Sequence, residues 1–592
     1  MWDGTGKRCC LLSDRGAGRE LTSQKARAKG YEVDALRLGC GWSRGDLSRP
    51  LAVIESCFGH SHPGSIHLDS VAQKAYEGLL QVGARPAKYF CSDVCDGITQ
   101  GTEAMSLSLA SREVIALAAE LHGKSAHADG VLFVSSCDKA IPGHLIAASR
   151  LNLPTVFALG GVMSHGASFR TLESVIDARR QLERGEIGQA TCDAIYDDGC
   201  PTPGACAFMG TACTMQILAE ALGLALPGSA LCPAQSFELL RLAQSSGEAL
   251  GRLIDEGTRF SDIVTETSIE NALTVLAAIG GSTNGLLHLA ALATSMGTQF
   301  SLRHADEVFA KTPLLCDIKP SGQYPSDLFW QAGGLPRLVD SLADVIDGST
   351  MTITGKTLGQ SAHDYLKVRP TTIAEGYLGR FGLSPESIIR PADDPVRRAA
   401  PIAILFGNLA PGGAVVKWTG ADDRARFFRA RVFNGQESAL REIVSKRIEP
   451  GDAIVIRYEG PKATGMPEQF YATELLAIDE SIAEEVAVLT DGRFSGATRG
   501  VCVGHISPEA AAEGPIALLE DGDIILIDVG RRRLELVGDS GGKMSEREAL
   551  SLLERRRASF TRPPAKRHTG LLAIYTSLAS SVEQGCLMMP PE

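Results

Sequence analysis

Three side chains of different chemistry follow one predicted strand. The apolar, β-branched run Val131–Val134 indicates a buried strand, and Cys137, Asp138 and Lys139 come next, before a helix that starts after Pro142. Ligands bind at the carboxyl ends of strands in open α/β sheets. A thiol, a carboxylate and an amine at that place suit a site that contains metal. A polar turn with one buried cysteine explains these residues equally well on their own.

A thiol and a carboxylate are also neighbours at Cys95 and Asp96, in a loop with two glycines that leads to a predicted helix, Ser111–Leu121. Cys206 lies in a glycine- and proline-rich turn directly before another helix. The exposed N–H groups of a helix amino terminus favour a thiolate or an anionic cluster. Both stretches are therefore candidates for metal chemistry.

Three later loops carry polar groups that could face a ligand. Ser282–Asn284 suit hydrogen bonds to a carboxylate or to hydroxyls, or form a tight packing turn. Glu459 lies in YEGPKATGMPE and Ser495 lies in TDGRFSGATRG. Judged from the residues alone, Glu459 is a surface carboxylate beside Lys462, and Ser495 is a turn hydroxyl that caps a helix. Only a wider pattern can give these two residues a chemical role.

The elements that must position these residues change character along the chain. Strands, loops and helices alternate up to about residue 394, which predicts an α/β domain with a largely parallel sheet. Short β-rich segments separated by Gly-Asp turns follow, and they predict a β-barrel-like second domain. We therefore divide the chain into an N-terminal extension at 1–38, an α/β domain at 39–394 and a β-barrel-like domain at 395–592.

Composition limits the function classes. The 592 residues are 44% hydrophobic and 22% charged, with a formal charge of −12, which argues against a nucleic-acid partner. No window reaches the apolar length of a membrane span. Fifteen cysteines without a secretory signal predict a reducing compartment, which we take to be the cytoplasm, and free or metal-binding thiols. The first thirty residues are interpreted as a mobile extension, with an organelle transit peptide as the alternative.

Six motifs follow one another along the chain: CDGITQG, CDKAIPG, GACAFMGTA, GGSTNGLLHL, EGPKATGMPE and TDGRFSGATRG. In this order they resemble the dihydroxy-acid and sugar-acid dehydratases, including the aldonate and 6-phosphogluconate dehydratases, from about Gly39 to about Gln584. The resemblance implies an N-terminal α/β domain, a C-terminal β-barrel, and a homodimer or dimer of dimers. It also implies an iron–sulfur cluster beside a Mg²⁺ ion.

The resemblance also assigns roles to single residues. It makes Cys137 and Cys206 cluster ligands, and Ser495 the catalytic base. It places the Mg²⁺ site at four residues: Asp96, Asp138, Lys139 and Glu459. Lys139 would act there as a carbamate, because an ammonium group cannot coordinate a cation.

The third cluster ligand is the point where this sequence departs from part of the family. Gly64 stands where many members have a cysteine. Cys95 is the preferred replacement, and Cys57 is the reserve. Three thiolates of this kind favour a [4Fe–4S] cluster, although a [2Fe–2S] cluster would also keep an open iron.

The resemblance implies a hydro-lyase that converts a 2,3-dihydroxy carboxylic acid into a 2-keto acid. An aldonic sugar acid or a close relative is the preferred substrate, and the precursor of the branched-chain amino acids is the alternative. A phosphorylated acid ranks third because no loop offers an obvious basic phosphate cradle. A non-catalytic iron–sulfur redox sensor is the alternative from another class, since an open iron suits both functions.

Overall fold

The computed structural model of the chain describes residues 21–91, 93–369, 371–418, 424–479, 482, 484–495 and 500–590, and at 371–374 the backbone alone. Most of its α-helices lie in the stretch of sequence between the last strand of the first sheet and the first strand of the second. Their bounds are α1 Thr22–Lys29, α2 Glu32–Gly39, α3 Leu68–Gln81, α4 Asp96–Thr99, α5 Ser108–Ser125, α6 Ala140–Leu151, α7 Leu172–Glu183, α8 Gln189–Asp198, α9 Thr211–Ala221, α10 Phe237–Glu256, α11 Phe260–Ile263, α12 Glu266–Ala278, α13 Thr283–Ser295, α14 Leu302–Lys311, α15 Asp327–Gln331, α16 Gly334–Ser341, α17 Leu358–Val368, α18 Thr371–Gly379, α19 Pro385–Ile388, α20 Gln436–Val444, α21 Pro461–Thr464, α22 Phe470–Ile478, α23 Glu546–Ser559 and α24 Gly570–Leu578. Within the described residues, no α-helix combines the length and the apolar character of a membrane span.

The first sheet is parallel throughout and has four strands. They are β1 Leu51–Ser56, β2 Arg85–Phe90, β3 Gly130–Ser135 and β4 Thr155–Leu159, in the spatial order β2-β1-β3-β4. Every residue of β1, β3 and β4 is buried. Apolar runs of this kind are typical of a parallel sheet that is covered on both faces. The predicted α/β domain with a largely parallel sheet is thereby confirmed.

The second sheet has nine strands of mixed direction. They are β5 Ile402–Leu405, β6 Gly413–Lys417, β7 Arg426–Asn434, β8 Asp452–Arg457, β9 Ala487–Thr490, β10 Val501–Ser507, β11 Ile524–Asp528, β12 Arg533–Asp539 and β13 Gly542–Lys543. Their spatial order is β13-β12-β11-β7-β8-β9-β10-β6-β5. A further bridge joins Phe406, just after β5, to Arg533 at the start of β12. The sheet is therefore curled into a half-barrel, which confirms the predicted β-barrel-like architecture.

The predicted N-terminal extension is described only from residue 21 onward, and residues 1–20 lie outside the described part. Thr22–Lys29 and Glu32–Gly39 are helical. Ser23 is fully buried and donates a 2.5 Å hydrogen bond from Oγ to Asp129. The interpretation of the first thirty residues as mobile is therefore wrong for this docked helix. The division at residues 394 and 395 falls between α19 and β5 and stays a prediction.

Candidate functional site

Two predicted cluster ligands meet at the carboxyl end of the parallel sheet. Cys137 follows β3, and Cys95 lies in the loop between β2 and α4. The Cys137 thiol donates a hydrogen bond to Cys95, which lowers the pKa of Cys95 to about 6 and raises that of Cys137 well above its usual value. A low thiol pKa favours the thiolate, which is the form that binds metal.

Cys206 lies close to the same pair. Burial raises the pKa of its thiol well above the usual value, and the charges of Cys200, Cys95 and Asp138 raise it further. Three cysteines from separate loops thus converge within electrostatic range of one another. The charge of Cys95 raises the pKa of both Cys137 and Cys206, and a bound cation would stabilise the thiolate form of all three.

Cys57, the reserve ligand, lies elsewhere. It is fully buried in the core of the α/β region, and its Sγ contacts Nε2 of His144 at 3.7 Å. Gly64, by contrast, lies directly against the thiols, because a Cβ there would be 3.1 Å from Sγ of Cys137. The structure therefore brings Cys95 to Cys137 and leaves Cys57 packed on His144.

Asp96 and Lys139 form a buried pair beside the thiols. Nζ of Lys139 donates to Oδ2 of Asp96 at 2.5 Å, and Oγ of Ser108 donates to Oδ1 at 2.6 Å. Burial favours the neutral carboxyl, but the charges of Lys139 and Arg493 hold the pKa of Asp96 below its usual value. The amine thus occupies one carboxylate oxygen that a metal would use.

Asp138 carries the clearest electrostatic signature of the site. Burial of its carboxyl group, and then the negative charge of Asp96, raise its pKa to about 8, with a further contribution from Glu468. Carboxylates held at close range raise one another's pKa, and they are the donors that a divalent cation such as Mg²⁺ prefers. As they stand, no three His, Cys, Asp or Glu side chains in the described ranges are arranged to hold a metal ion. The types of donor fit such an ion, although Lys139 still fills part of its place.

Glu468 connects this cluster to the C-terminal region. Its buried carboxylate accepts hydrogen bonds from Nε2 of Gln100 at 2.7 Å and from Nδ2 of Asn284 at 2.8 Å. Arg493, also buried, lies 3.3 Å from the same carboxylate and donates to Oγ of Ser108 at 3.2 Å. A buried hydrogen-bonded network of this kind restricts the positions of its members.

Glu459 does not share these partners. Within the described residues its carboxylate accepts from Oγ1 of Thr464 at 2.7 Å and from the backbone N–H of Gln436 at 3.0 Å, and it faces Lys566 at 3.7 Å. None of these contacts belongs to the cluster around Asp96. Glu468, nine residues later in the same motif, is the carboxylate whose charge raises the pKa of Asp138, and no role was assigned to it from the sequence.

Ser495 lines a cavity on the side of the curled sheet that faces α13. Its described walls combine five apolar residues or glycines with four polar residues, and they are Val415, Phe494, Cys502, Gly500, Gly504, Thr283, Lys417, His505 and Ser495. Burial lowers the pKa of Lys417 to about 8. Lys417 was not singled out from the sequence because its strand reads as an ordinary apolar run. The glycine turn expected to hold Ser495 falls at 496–499, outside the described residues.

Comparisons with known proteins identify the family of this chain. The model of the N-terminal region of dihydroxy-acid/6-phosphogluconate dehydratases matches residues 49–361, and the model of the C-terminal region matches residues 387–586. Among the similar proteins is a dihydroxy-acid dehydratase of Moorella thermoacetica, 39% identical over 93% of this chain and 96% of its own.

Further relatives are dihydroxy-acid dehydratases of Sulfurisphaera tokodaii and Methanococcoides burtonii. The first is 37% identical over 93% of this chain and 95% of its own. The second is 38% identical over 92% of this chain and 96% of its own. The chain belongs to the dihydroxy-acid/6-phosphogluconate dehydratase family and is a metal-dependent hydro-lyase that removes water from dihydroxy acids.

Proposed function

We propose that Cys95, Cys137 and Cys206 bind an iron–sulfur cluster, with [4Fe–4S] preferred over [2Fe–2S]. The hydrogen bond between Cys95 and Cys137 and the charge coupling of Cys206 to Cys95 support this set. Cys57 is not part of it, because its thiol packs on His144 in the core. Three protein thiolates leave one iron with a free position, as a dehydratase needs.

Beside the cluster we place Mg²⁺ at Asp96, Asp138 and Glu468, with Lys139 joining as a carbamate. Glu468 replaces the predicted Glu459, because of these two carboxylates it is Glu468 whose charge raises the pKa of Asp138. The raised pKa of Asp138 is the single observation that carries the proposal, because it shows that the carboxyl groups of Asp96 and Glu468 lie within electrostatic range of Asp138. Hard oxygen donors of this kind are the ligands that Mg²⁺ prefers.

When bound, the cluster and Mg²⁺ supply the positive charge that stabilises the departing C3 hydroxyl and the enolate-like charge growing near C1. Removal of the C2 proton is the task of the protein. Ser495 is the candidate to take this proton, but a serine hydroxyl is a poor base unless another group accepts its own proton.

Lys417 is positioned to be that group, because it lines the same cavity. Its Nζ donates to the backbone oxygen of Gly280 at 3.1 Å, which leaves further amine positions for Ser495 or water. Burial lowers its pKa to about 8, and the charge of Glu173 opposes this shift. A neutral amine is thus accessible under mildly alkaline conditions. Proton transfer from Ser495 to Nζ of Lys417 would make the serine oxygen basic.

We further propose that the substrate is an aldonic sugar acid. Thr283, Lys417 and His505 offer polar groups in the cavity beside Ser495, and hydroxyls beyond C3 would use them. The second candidate is the branched-chain substrate 2,3-dihydroxyisovalerate. The names of the relatives favour it, and so do the apolar cavity residues Val415 and Phe494. A redox sensor would have no use for a carboxylate cluster beside its thiols.

Formation of 2-keto acid tests both substrates directly. Anaerobically reconstituted protein with Mg²⁺ should convert xylonate, arabinonate or gluconate faster than 2,3-dihydroxyisovalerate or 6-phosphogluconate. Faster conversion of 2,3-dihydroxyisovalerate would overturn the sugar-acid proposal. Asp96→Asn should abolish turnover and keep the visible absorbance of the cluster, and full activity of this variant would contradict the Mg²⁺ site. The homodimer or dimer of dimers and the cytoplasmic location stay predictions.

A further inference from the structure

A buried histidine–carboxylate pair beside the thiols has no role in the proposed function. His62 lies in the loop after β1, and Asp93 lies in the loop after β2. The two side chains are almost completely buried, and Nε2 of His62 is 2.7 Å from Oδ1 of Asp93. A carboxylate only accepts hydrogen bonds, so the hydrogen is on Nε2. The other ring nitrogen, Nδ1, is thus the one left to act elsewhere.

Nδ1 of His62 is directed toward the cysteines. In the part of the chain that the structure describes, this buried atom has no hydrogen-bond partner. A Cβ on Gly64 would lie 3.2 Å from Nδ1 and 3.1 Å from Sγ of Cys137, so both atoms border the same small space. The charge of His62 also lowers the pKa of Cys95, which places the ring near the second thiol.

The arrangement is the one that metal-binding histidines use. Such histidines nearly always donate their second ring N–H to a carboxylate or a carbonyl, which fixes the tautomer and the ring orientation. Imidazole nitrogen also replaces thiolate at some iron–sulfur centres. The hydrogen bond to Asp93 holds the ring of His62 with Nδ1 toward the thiols, and a metal would bind this nitrogen in its deprotonated form.

We propose that Nδ1 of His62 is a nitrogen ligand of the iron–sulfur centre. In the absence of substrate it occupies the coordination position that Cys95, Cys137 and Cys206 leave open, and it withdraws when a dihydroxy acid binds. The role rests on the iron–sulfur cluster of the proposed function. Gly64 is needed for this arrangement, since any side chain there would compete with the ring of His62 for the space beside Cys137.

The other histidines of this loop have different neighbours. Nε2 of His67 is 2.6 Å from the backbone oxygen of Gly160, whereas Nδ1 of His62 borders the same space as Sγ of Cys137. His60 packs edge-on against Phe58. His67 therefore provides a matched control from the same segment.

Nitrogen hyperfine coupling tests the proposal without any measurement of turnover. Protein labelled with ¹⁵N at histidine would be reconstituted anaerobically, reduced and examined by pulsed electron paramagnetic resonance next to unlabelled protein. We expect a strong coupling that changes from the ¹⁴N to the ¹⁵N pattern. His62→Gln should lose it completely, because glutamine keeps a donor for Asp93 and removes Nδ1. His67→Gln should keep it.

The outcomes separate the two proposals. A cluster whose spectrum shows no directly bound histidine nitrogen, or whose coupling survives His62→Gln, overturns the role of His62 and leaves the cluster in place. Failure of the unmodified protein to take up iron and sulfide overturns the cluster, and the ligand with it. Addition of xylonate or 2,3-dihydroxyisovalerate should abolish the coupling. If the enzyme converts one of these acids and the coupling persists in its presence, His62 does not withdraw when the substrate binds. If His62→Gln does not fold, the absence of a ¹⁵N coupling from the labelled wild-type protein still overturns the role of His62.

Discussion

Replacing Asp138 with asparagine should stabilise the metal-free protein. Burial and the charge of Asp96 raise the pKa of Asp138 from 3.8 to about 8, so at pH 7 the folded protein keeps a proton that the unfolded chain has lost. Each pH unit between the ordinary pKa and the working pH costs about 1.4 kcal/mol, so the roughly three units up to pH 7 give an upper limit of about 4 kcal/mol. Asparagine has no proton to retain and avoids this cost.

The dependence on pH has a defined sign. The folded state binds more protons than the unfolded state between about pH 4 and pH 8, so the contribution of Asp138 to stability falls as the pH rises through that interval. Urea unfolding of metal-free protein at pH 5 and pH 8 measures the effect. The gain of Asp138→Asn over the unmodified protein should be larger at pH 8. Mg²⁺ should reverse the order, because a bound cation needs the ionised carboxylate.

Glu220 supplies the control for this experiment. Burial raises its pKa to about 8 as well, but it is satisfied by the backbone N–H groups of Gly228 and Ala230 and lies outside the carboxylate cluster. Glu220→Gln should therefore respond to pH and not to Mg²⁺. An Asp138→Asn protein that is less stable than the unmodified one at pH 8 without Mg²⁺ would refute the account of the cluster.

Three further predictions test the site. Cys95→Ser should lose most of the iron bound after reconstitution, because Cys95 contacts Cys137. Cys57→Ser should keep its iron, because Cys57 packs on His144. Iron analysis showing the reverse would move the third ligand to Cys57. Glu468→Gln should lower kcat by about 100-fold and Glu459→Gln by much less, and equal losses of 2-keto acid formation would contradict the choice of Glu468. The rate should rise with pH through about 8 as Lys417 loses its proton, and Lys417→Met should abolish that rise; a Met variant with the same pH profile would remove Lys417 from the reaction.

Much of the fold was predictable because local sequence patterns indicate its helices and strands. The run Val131–Val134 lies within β3, and the predicted helix Ser111–Leu121 lies within α5, which extends it at both ends. Apolar periodicity marks the middle of an element, whereas caps and neighbouring loops decide where it ends. The docking of α1 was missed for a related reason: its anchor, Ser23, is a small polar residue whose partner Asp129 lies more than one hundred residues away.

The candidate site was predictable only where neighbours in sequence stay neighbours in space. Cys137, Asp138 and Lys139 follow one strand, so their proximity needed no tertiary information. The choice between Glu459 and Glu468 depended on how the loop after β8 folds onto α13. Both carboxylates stand in one motif, and nothing in its letters shows which one meets Asn284.

The same reasoning explains why the histidine–carboxylate pair could not be found from the sequence. His62 and Asp93 are thirty-one residues apart and come together only because β1 and β2 are adjacent and parallel, so that the loops after them leave the same edge of the sheet. Adjacent parallel strands thereby bring together ligand residues that are far apart in the sequence. A glycine at residue 64 then has a physical meaning, since it leaves between Cys137 and His62 a space that a side chain would close. Gly64 thus leaves room beside Cys137 for the nitrogen ligand that we propose at His62.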